Sequence, residues 1–188
     1  AMTGLGNGLS EARQYEDALS VKEAMLSSLQ RLNASEDIIL RTKMNVAITY
    51  TILHRDKSAI KLHREAYVGF KRLHGVSHQC TINAAQNLVN ALGKSGDFAA
   101  AKALLREQIP YMRQLGPDHT STISLRLLLA MCLDEDNNAT RGDIEESVTI
   151  LEDVDRRARR VLGGNHPLAA QVHGALERAR RNLANFKA

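Results

Sequence analysis

Tryptophan is absent from this 188-residue chain, and aromatic residues make up only 4% of it. With alanine and leucine plentiful and strand-like alternation missing, that scarcity excludes a sheet and points to an all-α fold. Three prolines and no Ser/Gly tract leave no room for a flexible linker or a low-complexity segment. Apolar runs are short too: residues 127–133 form one of the longest, far below the ~20 residues a membrane-spanning helix needs. The two cysteines, Cys80 and Cys132, have no partner at metal-ligand spacing. They read as reduced thiols, which with no visible signal peptide favours a cytoplasmic setting. A phosphate-cradling glycine loop, a nucleophile elbow and a carboxylate pair are all missing, so neither enzyme activity nor a cofactor is expected.

What the chain does have is a repeat. From Leu73 to Pro110, apolar residues fall at helical spacing on two segments separated by Gly96-Asp97. Ile82, Ala85, Leu88, Val89 and Leu92 form one stripe, and Phe98, Ala101, Leu104, Leu105, Ile109 and Met112 the other. Gly96 sits where the first helix must stop and Asp97 where the second needs a cap. Such a hairpin cannot bury both stripes alone and needs similar neighbours. They are present: Leu32, Leu73, Leu115 and Leu162 begin related tails spaced 41, 42 and 47 residues apart. Aligning on the turns puts Ala18, Ala59, Ala101 and Ser147 in one small-residue column and Tyr15, Asp56, Phe98 and Ile144 in another. The last spacing carries an insertion of five residues, read as a surface loop over Asp134 to Arg141 and expected to be dispensable for folding. Pro110, inside a helical pattern, predicts a kink or break at Ile109.

The motifs resemble the tetratricopeptide repeat in its 42-residue form, as found in kinesin light chains. The resemblance rests on Leu5-Gly6, Asn87-Leu88-Val89, Gly96 to Ala101 (Gly-Asp-Phe-x-x-Ala) and Leu115 to His119 (Leu-Gly-Pro-Asp-His). His54 in place of a turn glycine and Asp56 in place of an aromatic depart from it. It implies a right-handed α-α superhelix (solenoid) of about four helical hairpins plus a terminal helix, a single domain over residues 1–188. Helices are expected from about Thr3 to Ala12, Tyr15 to Leu29, Ile38 to Leu53, Lys57 to Leu73, His78 to Lys94, Asp97 to Leu115, Thr120 to Leu133, Asp143 to Leu162 and His166 to Phe186. The start at Ala1-Met2, part-way into a helix, reads as a fragment of a longer protein. The resemblance also implies that the first helix of each hairpin lines a concave groove. That would place Arg41, Met44, Asn45 and Ile48, then Asn83, Gln86, Asn87 and Asn90, then Ser124, Leu127, Leu128 and Met131 toward a ligand.

Amides repeated along one face are poor core residues, but their donors and acceptors suit the backbone of an extended peptide. The expected peptide-binding residues are Arg41, Asn45, Asn83, Gln86, Asn87, Asn90, Leu127, Leu128 and Met131. They would favour a segment of another protein with an acidic residue and an apolar anchor. An equal reading of Asn45 and Asn87 has them bond neighbouring helices and set the stacking. The function expected is a protein-interaction scaffold or adaptor; the alternative is a structural or regulatory region that packs on its parent chain or self-associates. Net charge is +4, with a surplus of arginine from Asp153 onward (Arg156, Arg157, Arg159, Arg160, Arg178, Arg180, Arg181 and Lys187). A solvated helix face is favoured over a nucleic-acid or membrane footprint, because base-stacking aromatics are missing there. Of the seven histidines, His78, His119 and His166 recur just before a helix begins and read as caps. His74 with His78 has ligand-pair spacing, but the recurring cap position is the more economical account of His78, and His54, His63 and His173 are scattered without a converging acid or cysteine, so no metal site is expected.

Overall fold

The computed structural model describes residues 2–186; Ala1, Lys187 and Ala188 lie outside them. The chain splits between Ser95 and Gly96 into two compact units. The first holds α1 (Met2–Glu11), α2 (Tyr15–Arg31), α3 (Glu36–Ile52), α4 (Asp56–His74) and α5 (Gln79–Lys94). The second holds α6 (Phe98–Gln108), a 3-10 segment Ile109–Gln114, α7 (Thr120–Glu135), α8 (Arg141–Leu162) and α9 (Pro167–Asn185). Among the described residues there is no strand, and no helix is long and apolar enough to cross a membrane.

The turns have a common chemistry. Gly75, Gly96, Gly116 and Gly163 all take a left-handed backbone, with φ between 81° and 85°, which glycine adopts without steric cost. At the corresponding step of two earlier turns stand Arg13 and His54, at φ 60° and 56°, where a Cβ makes the conformation costly. Beyond the turns come the caps. Asp97 accepts from the Ala100 N–H at 3.1 Å, and Thr140 forms a reciprocal capping box with Asp143. The three recurring histidines cap as expected: the Nδ1 of His78, His119 and His166 accepts from the backbone N–H two residues on, at 3.2, 3.2 and 3.1 Å. Each ring thus satisfies one of the donors a helix start leaves unpaired.

In the first unit each helix packs on its chain neighbours, and α3 also meets α5. Leu40, Val46, Ala47, Ala59, Ala66 and Phe70 are buried there, a fully buried large side chain being worth roughly 1.5–3 kcal/mol. Gly69 permits the close approach of α4 to α3, because a Cβ on it would lie 2.6 Å from the Leu40 methyls. Lys22 ties three helices together. Its Nζ donates to Ser10 Oγ of α1 at 2.8 Å and to Thr49 Oγ1 of α3 at 3.0 Å, while burial lowers its pKa.

In the second unit α7, α8 and α9 share a core that includes Ile123, Ala130, Leu151, Val154, Val172 and Leu176. All four members of the small-residue column, Ala18, Ala59, Ala101 and Ser147, are 0% exposed. The Ser147 hydroxyl is satisfied by the Ala130 carbonyl at 2.8 Å. Helical pairing from α6 gives way to the 3-10 segment at Ile109, the break that Pro110 requires.

The inserted loop is shorter than the sequence suggests. Asp134 and Glu135 belong to α7 and Arg141 to α8, leaving only residues 136–140 between the helices. Its beginning is packed rather than free: the Asp134 side chain is 1% exposed, 3.0 Å from Arg178 Nε of α9, and accepts from Asn182 Nδ2 at 2.9 Å. Asp136 pairs with Lys102 of α6 at 2.8 Å. The polar composition that reads as a loop is here an anchor between helices.

Candidate functional site

Helical spacing brings Arg41, Met44 and Asn45 to one face of α3, and Cys80 and Asn83 to one face of α5. With Phe70 of α4 they enclose a cleft of about 230 Å³. Three of the residues expected to bind a peptide, Arg41, Asn45 and Asn83, therefore meet at a single place in the first unit.

Arg41 is held in position. Its Nε donates to Asp37 Oδ2 at 2.6 Å and its Nη2 to Cys80 Sγ at 3.0 Å, and its guanidinium carbon lies 5.9 Å from the Phe70 ring centre. Asp37 raises the arginine pKa above its ordinary value. Its own carboxyl is lowered by Arg41 first and by His74, 2.9 Å away, second. The His74 ring stacks against Phe70 and His78, with centres 6.0 and 4.5 Å apart. The result is a fixed cation with donors to spare, since a guanidinium carries five N–H groups.

Beside this cation run the amides. Asn83 accepts from Gln79 Nε2 at 2.7 Å. Asn45 and Asn90 are exposed and Gln86 and Asn87 half-buried, and none of these four makes a side-chain hydrogen bond among the described residues. Asn45 and Asn87 therefore contribute no hydrogen bond to helix stacking. Met44, Ile48 and Ile52 follow one another at four-residue steps along α3. Ile48 and Ile52 are each 39% exposed, an apolar strip next to the amides.

The second unit treats the corresponding residues differently. Leu127 is 2% exposed and packs in the α7–α8–α9 core, so it cannot reach a ligand, contrary to the sequence expectation. There the core shared by α7, α8 and α9 takes it in, whereas Met44 on α3 and Gln86 on α5 stay half-buried. Leu128 and Met131 remain half-buried, Met131 partly against the same core.

The surplus of arginine is largely paired. Arg157 and Arg160 reach Asp118 at 2.9 and 2.5 Å. Arg126 and Arg157 reach Asp153 at 2.6 and 2.8 Å. Arg159 meets Asp155 at 2.9 Å and Arg180 meets Glu152 at 2.9 Å. Arg157 with Asp153 and Arg159 with Asp155 are one-turn pairs within α8 that helical spacing brings together, whereas Asp118, Arg126 and Arg180 come from other turns and helices, which spacing does not join. No three His, Cys, Asp or Glu side chains among the described residues converge as metal ligands. Both cysteines are free thiols, and burial pushes Cys132 up to about 12, which makes it inert.

Two tetratricopeptide-repeat family models match the chain, one over residues 38–114 and the other over 139–168, together more than half of it. The chain belongs to the tetratricopeptide-repeat family. Its fold is also that of a solved Podosopora anserina protein described as a kinesin light chain with nearly identical TPR-like repeats. That match has a TM-score of 0.82 at 17% identity and covers 97% of this chain and 85% of that one. BtubC (BKLC) from P. vanneervenii is similar at a TM-score of 0.62 and 14% identity, covering 100% of this chain and 81% of that one. The apo form of RapI gives 0.60 and 17%, covering 98% and 69%. At such identities the likeness is one of fold, an all-α solenoid architecture. No curated protein matches the sequence. Tetratricopeptide repeats form a scaffold type for protein interaction, and this chain is a repeat scaffold of that class.

Proposed function

We propose that this tetratricopeptide-repeat chain holds a segment of another protein, in extended form, at the α3–α5 cleft of its first unit. The observation that carries the reading is the set of unbonded amides Asn45, Gln86, Asn87 and Asn90 beside a fixed cation, Arg41, and an apolar strip, Met44 to Ile52. Amides bond a peptide backbone whatever its sequence. The cation selects an acidic side chain, and the strip an apolar one, so affinity and specificity come from different residues. Asn83 belongs to the same row, with its carbonyl engaged by Gln79. On the second unit, half-buried Leu128 and Met131 offer an apolar contact of their own. The reading treats residues 1–188 as one domain acting in the cytoplasm without a cofactor.

Affinity capture with the chain as bait, followed by peptide mapping, tests the proposal. The captured segment should bind Asn87→Ala more weakly whatever its side chains, and Arg41→Glu more weakly when it is acidic. Each loss should be on the order of 1 to 3 kcal/mol. Equal binding by the parent and both variants would sink the reading. A concentration-dependent rise in molecular size with no captured segment would favour self-association instead.

A further inference from the structure

The second unit departs from regular helix at the 3-10 segment Ile109–Gln114, and a cleft opens there. Ile109, Pro110, Met112 and Pro117 wall a space of about 290 Å³, with Arg113 and Arg126 at its rim. Arg126 leads out of it: Nη1 donates to Asp153 Oδ2 at 2.6 Å. Asp153 in turn borders a second space of about 280 Å³, lined by Arg156, Arg157 and Arg160 of α8. The Asp118 carboxylate, one residue after Pro117, accepts from Arg157 and Arg160. The Arg126–Asp153 pair thus joins a lining residue of one space to a lining residue of the other, and Asp118, next to Pro117 of the first, holds Arg157 and Arg160 of the second.

Charge does not balance here. Among the described residues Arg126, Arg156, Arg157 and Arg160 share two carboxylates, Asp118 and Asp153, and Arg113 adds a further cation to the lining of the apolar space. The side chains of Arg156 and Arg160 are 78% and 65% exposed, so part of each fork faces solvent while the aspartates fix its direction. A fork held in this way loses less freedom when it meets a carboxylate.

We propose that these paired clefts form a second docking site, separate from the one at α3–α5, for an acidic peptide segment that places one apolar side chain beside several carboxylates. The surplus of guanidinium groups attracts the acids. The aliphatic and proline walls take the apolar side chain and offer no flat face on which a base could stack. A nucleic acid would use the arginines and leave the apolar space unfilled.

The probe is a fluorescein-labelled peptide with one leucine among four glutamates, followed by anisotropy on the 188-residue chain. Binding should weaken at least tenfold in the Arg156→Glu, Arg160→Glu double variant, and in peptides with serine for leucine or lysine for glutamate. Far-UV circular dichroism checks the variant; should it lose helix, Arg156→Gln with Arg160→Gln gives the same reading with a smaller loss. Unchanged affinity in the folded variant, or equal binding of the lysine peptide, overturns the proposal. So does tighter binding of a labelled single-stranded oligonucleotide or of anionic vesicles than of the peptide. A loss that follows Asn83→Ala instead would place the peptide at α3–α5 and refute a second site.

Discussion

Replacing His63 with leucine should stabilise the protein, and by more in acid than at neutral pH. His63 lies on α4, 2% exposed, with its Nδ1 making no hydrogen bond. Burial lowers its pKa from 6.5 to about 4, because a charged imidazole loses its water there and gains no partner. At pH 7 the ring is neutral both folded and unfolded, and its cost is that of one unsatisfied buried nitrogen, about 1–3 kcal/mol. As the pH falls below 6.5 the unfolded chain takes up a proton that the folded chain refuses. Stability therefore drops between pH 6.5 and 4 and levels off below that. Linkage sets the full drop at about 3 kcal/mol, of which about 2 should be present by pH 4.5. Leucine has no proton to take up. Carboxylates such as Asp37, Asp118 and Asp153, whose pKa values are lowered by arginine partners, also weaken the fold in acid. They are common to both proteins and cancel in the difference. Urea unfolding followed by circular dichroism at pH 7 and 4.5 supplies that difference. If the gap between His63→Leu and the parent stays constant from pH 7 to 4.5, the buried neutral histidine is not what the structure makes of it.

Other substitutions probe the framework. Ala101→Arg should cost several kcal/mol, because a long cation would enter a position that is 0% exposed, while exposed Gln114→Arg should be mild; equal melting temperatures would refute the repeat register. Asp134→Ala should cost about 2 kcal/mol by removing the buried acceptor of Asn182 and of Arg178 Nε, although Arg178 keeps Glu135, whereas changing the exposed Asn137 and Asn138 to alanine should do little, a contrast that denaturant titration reads directly. Loss of the His119 cap in His119→Ala should cost about 1 kcal/mol and His119→Asn should restore most of it; no recovery with asparagine would mean the ring acts by packing rather than as an acceptor.

Much of this architecture is legible in the residues because a repeat states each rule several times. The small column from Ala18 to Ser147, the histidine caps and the break at Pro110 all lie where spacing places them, and helix ends follow from Gly-Asp and Leu-Gly steps. Misreadings arise where one repeat differs from the next. Leu127 occupies the same column as Met44 and Gln86, so column counting sends it outward. What takes it in is the core that α7, α8 and α9 share, which the spacing within α7 does not reveal. Asp134 looks like loop because acids and asparagines crowd residues 134–138, and the arginine that makes it helix and core, Arg178, lies far away in sequence. The burial of His63 is equally hidden, since its own helix is amphipathic and one polar residue on the inner face looks like any other.

The same limit bears on charge. Composition presents the C-terminal third as a basic surface, but basicity counts for binding only where cations outnumber the acids within reach. Arg159 and Arg180 each face a carboxylate of their own, on Asp155 and Glu152, and Arg178 faces two, on Asp134 and Glu135. An anion approaching these would have to displace an acid already held at short range, for a gain that exposed ion pairs seldom return. Around Asp118 and Asp153, by contrast, four arginines divide two carboxylates among the described residues. The exposed forks of Arg156 and Arg160, which share their acids, stand within one short stretch of α8, a spacing that suits a short acidic segment better than a long polyanion.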